Sequence, residues 1–364
     1  MKDTEITRPT LLMDEEKCRR NIREMCKKAQ KNSVIFRPHF KTHQSLEIGS
    51  WFKELGVDRI TVSSLKMAEY FSEQWHDITV AFPVNIREIE SINSLAERIS
   101  LNLLVESKEV VEFLKEHLKS SVGFFIKIDV GYHRAGILPE DLEIINAILE
   151  MSKNNSLCKF KGFLTHAGQT YQCRRKACVD EVYRDSKSKL LELKRHYIDE
   201  YPDLILSIGD TPTCSIVENF SPIDEIRPGN FVFYDLMQCS IGSCEISQIA
   251  VAMACPIVAI HKNRNEIVIY GGGVHFSKER LEDEEFGTLY GKVVENEDNA
   301  WGNVIPGMYV KNLSQEHGIV AVPSSWISNY KIGDLLFILP VHSCMTANLM
   351  GEYVTSTERL IRRM

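Results

Sequence analysis

The sequence predicts an α/β protein, a parallel (β/α)8 barrel with a second, β-rich C-terminal domain. Three observations predict it. Short β-branched runs alternate with amphipathic stretches as far as about Ile208, and strands separated by helical crossovers pair in parallel. After about Ile246 the helical period fades, and short apolar runs stand between Gly, Pro, Asn and Asp. The chain has 364 residues, more than the roughly 250 to 300 at which a single core stops growing. The barrel is expected over residues 15–245 and the second domain over 246–364.

Thr10 to Met13 reads as a strand, and residues 15 to 31 as a helix, because Cys18, Ile22, Met25, Cys26 and Ala29 recur at helical spacing. Val34-Ile35-Phe36 is a buried strand, followed by a helix over 45–55 and a strand at 60–62. Helices over 65–71, 86–96, 110–117, 142–151 and 175–197 then alternate with strands at 78–82, 101–105, 123–130, 160–165 and 204–208. That makes about eight strands over roughly 220 residues, the number that closes a parallel barrel. The β-rich texture rests on the runs 250–260, 266–270, 318–322 and 335–339.

The formal net charge is -7, which argues against a nucleic-acid partner, since phosphate binding leans on clustered Lys and Arg. The longest apolar stretch, Ile249 to Ile260, carries Pro256 and falls short of the roughly 20 residues of a spanning helix, so no membrane partner is expected. The first twenty residues hold no continuous apolar segment, and the ten cysteines form no C-x-x-C pair. Both point to a cytoplasmic protein whose cysteines are mostly buried thiols.

Arg37-Pro38-His39-Phe40-Lys41-Thr42-His43 follows the strand at 34–36. Lys41 is therefore expected just past a strand's carboxyl end, where a parallel barrel builds its active site. Four cationic or potentially cationic residues within seven positions repel one another, and an anionic aromatic group such as pyridoxal phosphate would neutralise them. The motif resembles the cofactor-lysine segment of the D-serine dehydratase and D-threonine aldolase group, which shares the alanine racemase type of pyridoxal-phosphate fold. The resemblance runs from Arg8-Pro9-Thr10 to the region of Asn348. It implies that Lys41 carries the cofactor and takes the Cα proton of the substrate. It also implies that residues 1–14 belong with the second domain, and that the protein is a homodimer in which each β-rich domain faces the partner's barrel mouth.

The other candidates follow in order. Asp129-Val130-Gly131-Tyr132-His133-Arg134-Ala135-Gly136 by itself reads as a glycine-bracketed turn; the resemblance brings Arg134 to the phenolic oxygen of the cofactor. His166 follows a strand and by resemblance supports the pyridine ring, with Tyr171 beyond it as a substrate-side acid. Gly209, Thr211, Gly229 and Asn230 lie after the last two strands, where barrels commonly cradle a phosphate. Arg227 stands where the racemase fold sets an arginine against the pyridine nitrogen. A guanidinium keeps its proton, so the ring would stay neutral and be a weaker electron sink.

His342 and Cys344 would share a face of an extended segment, and imidazole with thiolate favours zinc, with manganese as the alternative ion. From spacing alone, a chance H-x-C among ten cysteines and eleven histidines is the better reading. The resemblance reverses this, because H-x-C matches the dehydratase pattern. The expected function is dehydration of a D-3-hydroxy amino acid such as D-serine to a 2-oxo acid and ammonia. The alternatives are retro-aldol cleavage of D-threonine and a non-catalytic pyridoxal-phosphate carrier.

Overall fold

The computed structural model describes residues 6–153, 156–297 and 300–364. Its chain divides into two compact units, one of residues Arg23–Gly229 and one that runs to Ile22 and resumes at Asn230. The sequence reading placed the borders at 14/15 and 245/246. Part of the difference lies in the helix Glu15–Lys31, whose first turns are tied to the second unit. Cys18 Sγ donates to the Val232 carbonyl at 3.3 Å, and Asn21 Nδ2 to the Gln248 carbonyl at 2.9 Å.

All eight strands of the first unit run the same way, in the order Ile35–Phe36, Glu225–Ile226, Ile205–Ile208, Cys158–Thr165, Val122–Ile128, Ser100–Val105, Asp77–Pro83 and Ile60–Val62. The ends of that sheet meet. Thr61 N donates to Pro38 O at 2.9 Å and Phe40 N to Thr61 O at 2.8 Å, so the barrel closes on the residues that lead into Lys41. Ser100–Val105 and Val122–Ile128 are buried along nearly their whole length, and Leu104, Phe125 and Leu164 form one apolar cluster with Ile205 packed against it. Strand identity agrees with the alternation in the sequence. The eighth strand, Glu225–Ile226, has only two residues and no period of its own.

The second unit is built on a nine-stranded sheet in the order Glu266–Tyr270, His317–Ala321, Ala300–Leu313, Gly291–Glu297, Leu335–Pro340, Val251–His261, Thr10–Met13, Glu352–Thr355 and Leu360–Arg362. Thr10–Met13 pairs antiparallel with Val251–Ala254 and parallel with Val354–Thr355. Glu266–Tyr270 also pairs with the long strand Val251–His261, which folds the sheet back on itself.

Most cysteines are buried thiols, as expected, and one pair is oxidised. Six of the eight free thiols are buried, but Cys173 and Cys178 form a disulfide across five positions of sequence. A C-x4-C spacing is no recognised framework signal, and the turn before the helix Lys176–Tyr197 brings the two sulfurs together. Among the described residues, no helix is long and apolar enough to cross a membrane.

Candidate active site

The four cations of the Arg37 to His43 segment separate on folding. Arg37 is buried and paired, its Nε to Glu225 Oε2 at 2.7 Å and its Nη1 to Asp77 Oδ1 at 2.6 Å. His43 is buried among Phe40, Phe52 and Phe71. Mutual repulsion of four charges was thus the wrong argument for a bound anion, because one guanidinium is neutralised internally and one imidazole belongs to the aromatic core. Lys41 and His39 remain at the barrel mouth, with Lys41 exposed.

Other strand ends bring further cations to them. Burial, then the charges of Lys41, Arg227, His166 and Arg134, hold His39 well below its usual pKa. Burial, with Lys41, Lys127, Arg134 and Arg227, does the same to His166. Both imidazoles are neutral, and their main-chain partners select opposite tautomers. Lys41 N donates to His39 Nδ1 at 3.3 Å, so His39 carries its proton on Nε2. His166 Nδ1 donates to the Gly209 carbonyl at 2.8 Å, which leaves Nε2 as an acceptor.

Arg134 sits on a loop ordered by Asp129, whose Oδ1 accepts from the main-chain nitrogens of Gly131, Tyr132 and His133 at 2.9 to 3.1 Å. Its guanidinium carbon lies 5.0 Å over the ring of Tyr132, which meets His166 edge-on at 5.9 Å. Tyr171, on the short helix Gly168–Gln172, has its ring 6.3 Å from His166. Arg227 is buried; Nε donates to Ser207 Oγ at 2.6 Å, and Nη2 donates to the Thr165 carbonyl. Burial lowers its pKa to about 10, still far above neutrality, so it is a fixed cation.

These residues fit a phosphorylated aromatic aldehyde. A Cβ at Gly209 would stand 2.9 Å from Arg227 Nη1, and one at Gly229 would stand 2.9 Å from the His39 carbonyl, so both positions keep the backbone close to the site. The Thr211 hydroxyl is buried without a hydrogen-bond partner among the described residues, as a group that meets a phosphate would be, and the Thr213 hydroxyl is buried beside the Asp210 carboxylate. Asp210 caps the helix Thr211–Ile216 by accepting from Thr213 N at 2.7 Å, and burial raises its carboxyl to about 6.

Sequence reasoning passed over three residues here. Thr213 was hidden as the second hydroxyl of a T-P-T run, and His39 was grouped with its neighbours. Lys127, only 6 % exposed in the middle of the cations, was read as part of a strand. Burial and the charges of Arg227 and Arg134 lower its pKa to about 7. A lysine inside an otherwise apolar strand was the available signal.

Asn230, His342 and Cys344 belong to the second unit. His342 and Cys344 do not lie two apart on a strand as expected. The strand ends at Pro340, His342 caps the helix Ser343–Met350, and Cys344 is in its first turn. The side chains still meet. Burial pulls the His342 pKa down, but its hydrogen bond to Cys344 and the charges of Cys344, Asp235 and Glu279 raise it to about 9. Among the described residues no group of three or more His, Cys, Asp or Glu is placed to hold a metal. An imidazole and a thiol in contact nevertheless fit two positions of a zinc-like ion. The Asn230 Nδ2 faces this corner, within hydrogen-bond reach of Asp235 Oδ2 at 2.6 Å, Ser343 Oγ at 3.0 Å and Cys344 Sγ at 3.4 Å.

A parallel barrel with a lysine at its mouth, neutral histidines beside it and a buried arginine behind defines an alanine racemase-type pyridoxal-phosphate enzyme. Comparison agrees: the alanine racemase N-terminal domain matches residues 13–236, and a serine dehydratase domain matches 250–356. D-serine dehydratase from Dictyostelium discoideum is 31% identical over 95% of this chain and 92% of its own. D-threo-3-hydroxyaspartate dehydratase from Delftia sp. strain HT23 is 27% identical over 97% and 95%. Its solved structure has a TM-score of 0.90 with 24% identity, covering 100% of this chain and 98% of that one, and a metal-free form of a variant of that enzyme superposes equally well. The chain belongs to the D-serine dehydratase family of lyases.

Proposed function

We propose that the protein is a pyridoxal-phosphate- and metal-dependent lyase that removes water from a D-3-hydroxy amino acid of the D-serine class, releasing a 2-oxo acid and ammonia. The observation that carries this reading is the cationic cluster around Lys41, in a chain whose 31%-identical relative is a D-serine dehydratase. When bound, pyridoxal phosphate supplies the electron sink, and a divalent ion supplies a Lewis acid for the departing hydroxyl.

The chain's own residues do the rest. Lys41 Nζ anchors the cofactor and then takes the Cα proton. Arg134 keeps the phenolic oxygen charged, and His166, neutral, packs by the ring without adding a competing cation. Main chain at Gly209, Gly229 and Asn230, with the Thr211 hydroxyl, holds the phosphate; the Thr213 hydroxyl is a further donor beside them. Arg227 donates to the ring nitrogen and gives up no proton, so the ring stays a modest sink and elimination depends on help at the hydroxyl. His342 and Cys344 hold the ion that gives this help, zinc by its donor chemistry. Tyr171 is the substrate-side proton donor.

A second copy of the chain completes the enzyme. Met345 and Leu349, four residues apart on the helix Ser343–Met350, are both more than 40% exposed, an apolar face that a partner subunit would cover.

The test is direct. Purified protein supplied with pyridoxal phosphate and zinc is given D-serine, D-threonine and D-threo-3-hydroxyaspartate, and keto acid is scored against aldehyde. Keto acid and ammonia from D-serine are expected. Aldehyde and glycine from D-threonine, with no keto acid from any substrate, would overturn the reading.

A further inference from the structure

Behind Arg227 lies a run of mostly buried polar side chains, ending at the half-buried Asp77, that the mechanism above leaves unused. Asp77 accepts from Arg37 Nη1 at 2.6 Å and Nη2 at 3.3 Å, and Arg37 Nε donates to Glu225 Oε2 at 2.7 Å. Ser207 Oγ donates to Glu225 Oε1 at 2.6 Å and accepts from Arg227 Nε at 2.6 Å. Asn102 Nδ2 completes the far end by donating to Asp77 Oδ1 at 3.0 Å. Two guanidinium groups and two carboxylates make the run neutral as a whole. Glu225 and Ser207 are fully buried, and Arg227 is nearly so.

The geometry leaves Ser207 one role. Its hydroxyl proton is taken by Glu225, so the lone pairs that face Arg227 can only accept. A hydroxyl that donates to a carboxylate is also a stronger acceptor than one that does not. With Nε pinned on Ser207 and Nη2 on the Thr165 carbonyl, the guanidinium plane cannot turn, and Nη1 is the end directed to Gly209. Glu225 lies 4.0 Å from Arg227 Nε, close enough to offset the burial of that charge. The same carboxylate grips Arg37, four residues before Lys41, so one buried group fixes both the segment that carries the lysine and the arginine opposite it.

We propose that Ser207 and Glu225 are positioning residues that set the plane and charge of Arg227 and thereby the strength of its hydrogen bond to the cofactor's ring nitrogen. This rests on the reading of Arg227 as the ring-nitrogen partner. Ser207 and Glu225 touch neither substrate nor cofactor; they act through the guanidinium.

The experiment compares the wild-type holoenzyme with Ser207→Ala, Ser207→Thr and Glu225→Gln. The readouts are bound pyridoxal phosphate, kcat and KM on D-serine, and the pH profile of the cofactor's visible band. Ser207→Ala is expected to retain the cofactor and KM while kcat falls about 10- to 100-fold, the range of one charge-assisted hydrogen bond at the barrier. Its band should titrate at a different pH from that of the wild type. Ser207→Thr, which keeps the hydroxyl, should restore both, and Glu225→Gln should repeat the Ala shift. If Glu225→Gln does not fold, the two Ser207 variants decide. An unchanged kcat and pH profile in Ser207→Ala, or an equal loss in Ser207→Thr, overturns the proposal. A wild-type chain that takes up no pyridoxal phosphate overturns the underlying function instead, and that is read before any variant.

Discussion

The side-chain amide of Asn230 lies 3.4 Å from Cys344 Sγ, although the two residues are 114 positions apart in the chain. The same nitrogen donates to Asp235 Oδ2, which also accepts from Ser343 N at 2.9 Å and Ser343 Oγ at 3.1 Å. Asp235 and Asn230 therefore hold the helix start that presents Cys344. Partners of this kind orient metal ligands and commonly change affinity about 10- to 100-fold. Asn230→Ala is expected to weaken metal binding within that range in a competition titration against a chromophoric chelator. The pyridoxal phosphate content should stay as in the wild type, because the proposed phosphate contact of Asn230 is through its main chain, which the substitution keeps.

Lys41 should carry the cofactor alone. Borohydride reduction followed by peptide mapping is expected to place the adduct on Lys41, and Lys41→Ala should lose the visible band. The buried Lys127 is the competing amine, since its lowered pKa makes it nucleophilic near neutrality. An adduct found there would move the chemistry to the barrel interior.

Removal of the metal should separate elimination from cofactor binding. Chelation, His342→Ala and Cys344→Ala are each expected to reduce D-serine turnover by at least about 100-fold, since a Lewis acid is worth several kcal/mol at a departing oxygen. The visible band should persist in all three. Metal-free protein that eliminates at an undiminished rate would make the His342–Cys344 contact a structural feature.

Lys127 also gives a pH signature in the cofactor-free protein. Its folded pKa of about 7 lies below the unfolded value of 10.5, so between those limits the unfolded chain binds more protons and stability rises with pH. Below about 7 both states are protonated, and the folded state bears the full burden of a buried charge among other cations. Lys127→Met is therefore expected to raise the melting temperature at pH 6 by several degrees, about 1–3 kcal/mol of stability, and to change it little at pH 10.5 or above. Calorimetry at the two pH values checks the sign.

By itself, the sequence determined what short-range pattern can encode. The alternation of β-branched runs and amphipathic stretches marked seven of the eight barrel strands, and the position of Lys41 just after Ile35–Phe36 placed it at the barrel's carboxyl-end mouth. The same logic set Arg134 and His166 after the ends of their strands, because in a parallel barrel every strand points its carboxyl end to one mouth, whereas Arg227 was placed only by the family resemblance. The two-residue strand Glu225–Ile226 carries no period, and the C-x4-C spacing of Cys173 and Cys178 carries no framework signal.

Only the tertiary structure decided which charges are free to meet a ligand. Arg37 and His39 are two residues apart, yet one is consumed by Glu225, 188 positions away, and the other joins the cationic cluster. Likewise the Asn230 side chain turned out to serve Cys344, and the pair His342–Cys344 meets through a strand-to-helix turn and not along a strand. The physical reason is common to these cases. A side chain's chemistry is written in its residue type, but its charge, tautomer and partners depend on burial and on groups brought close by chain closure, and neither is a local property of the sequence.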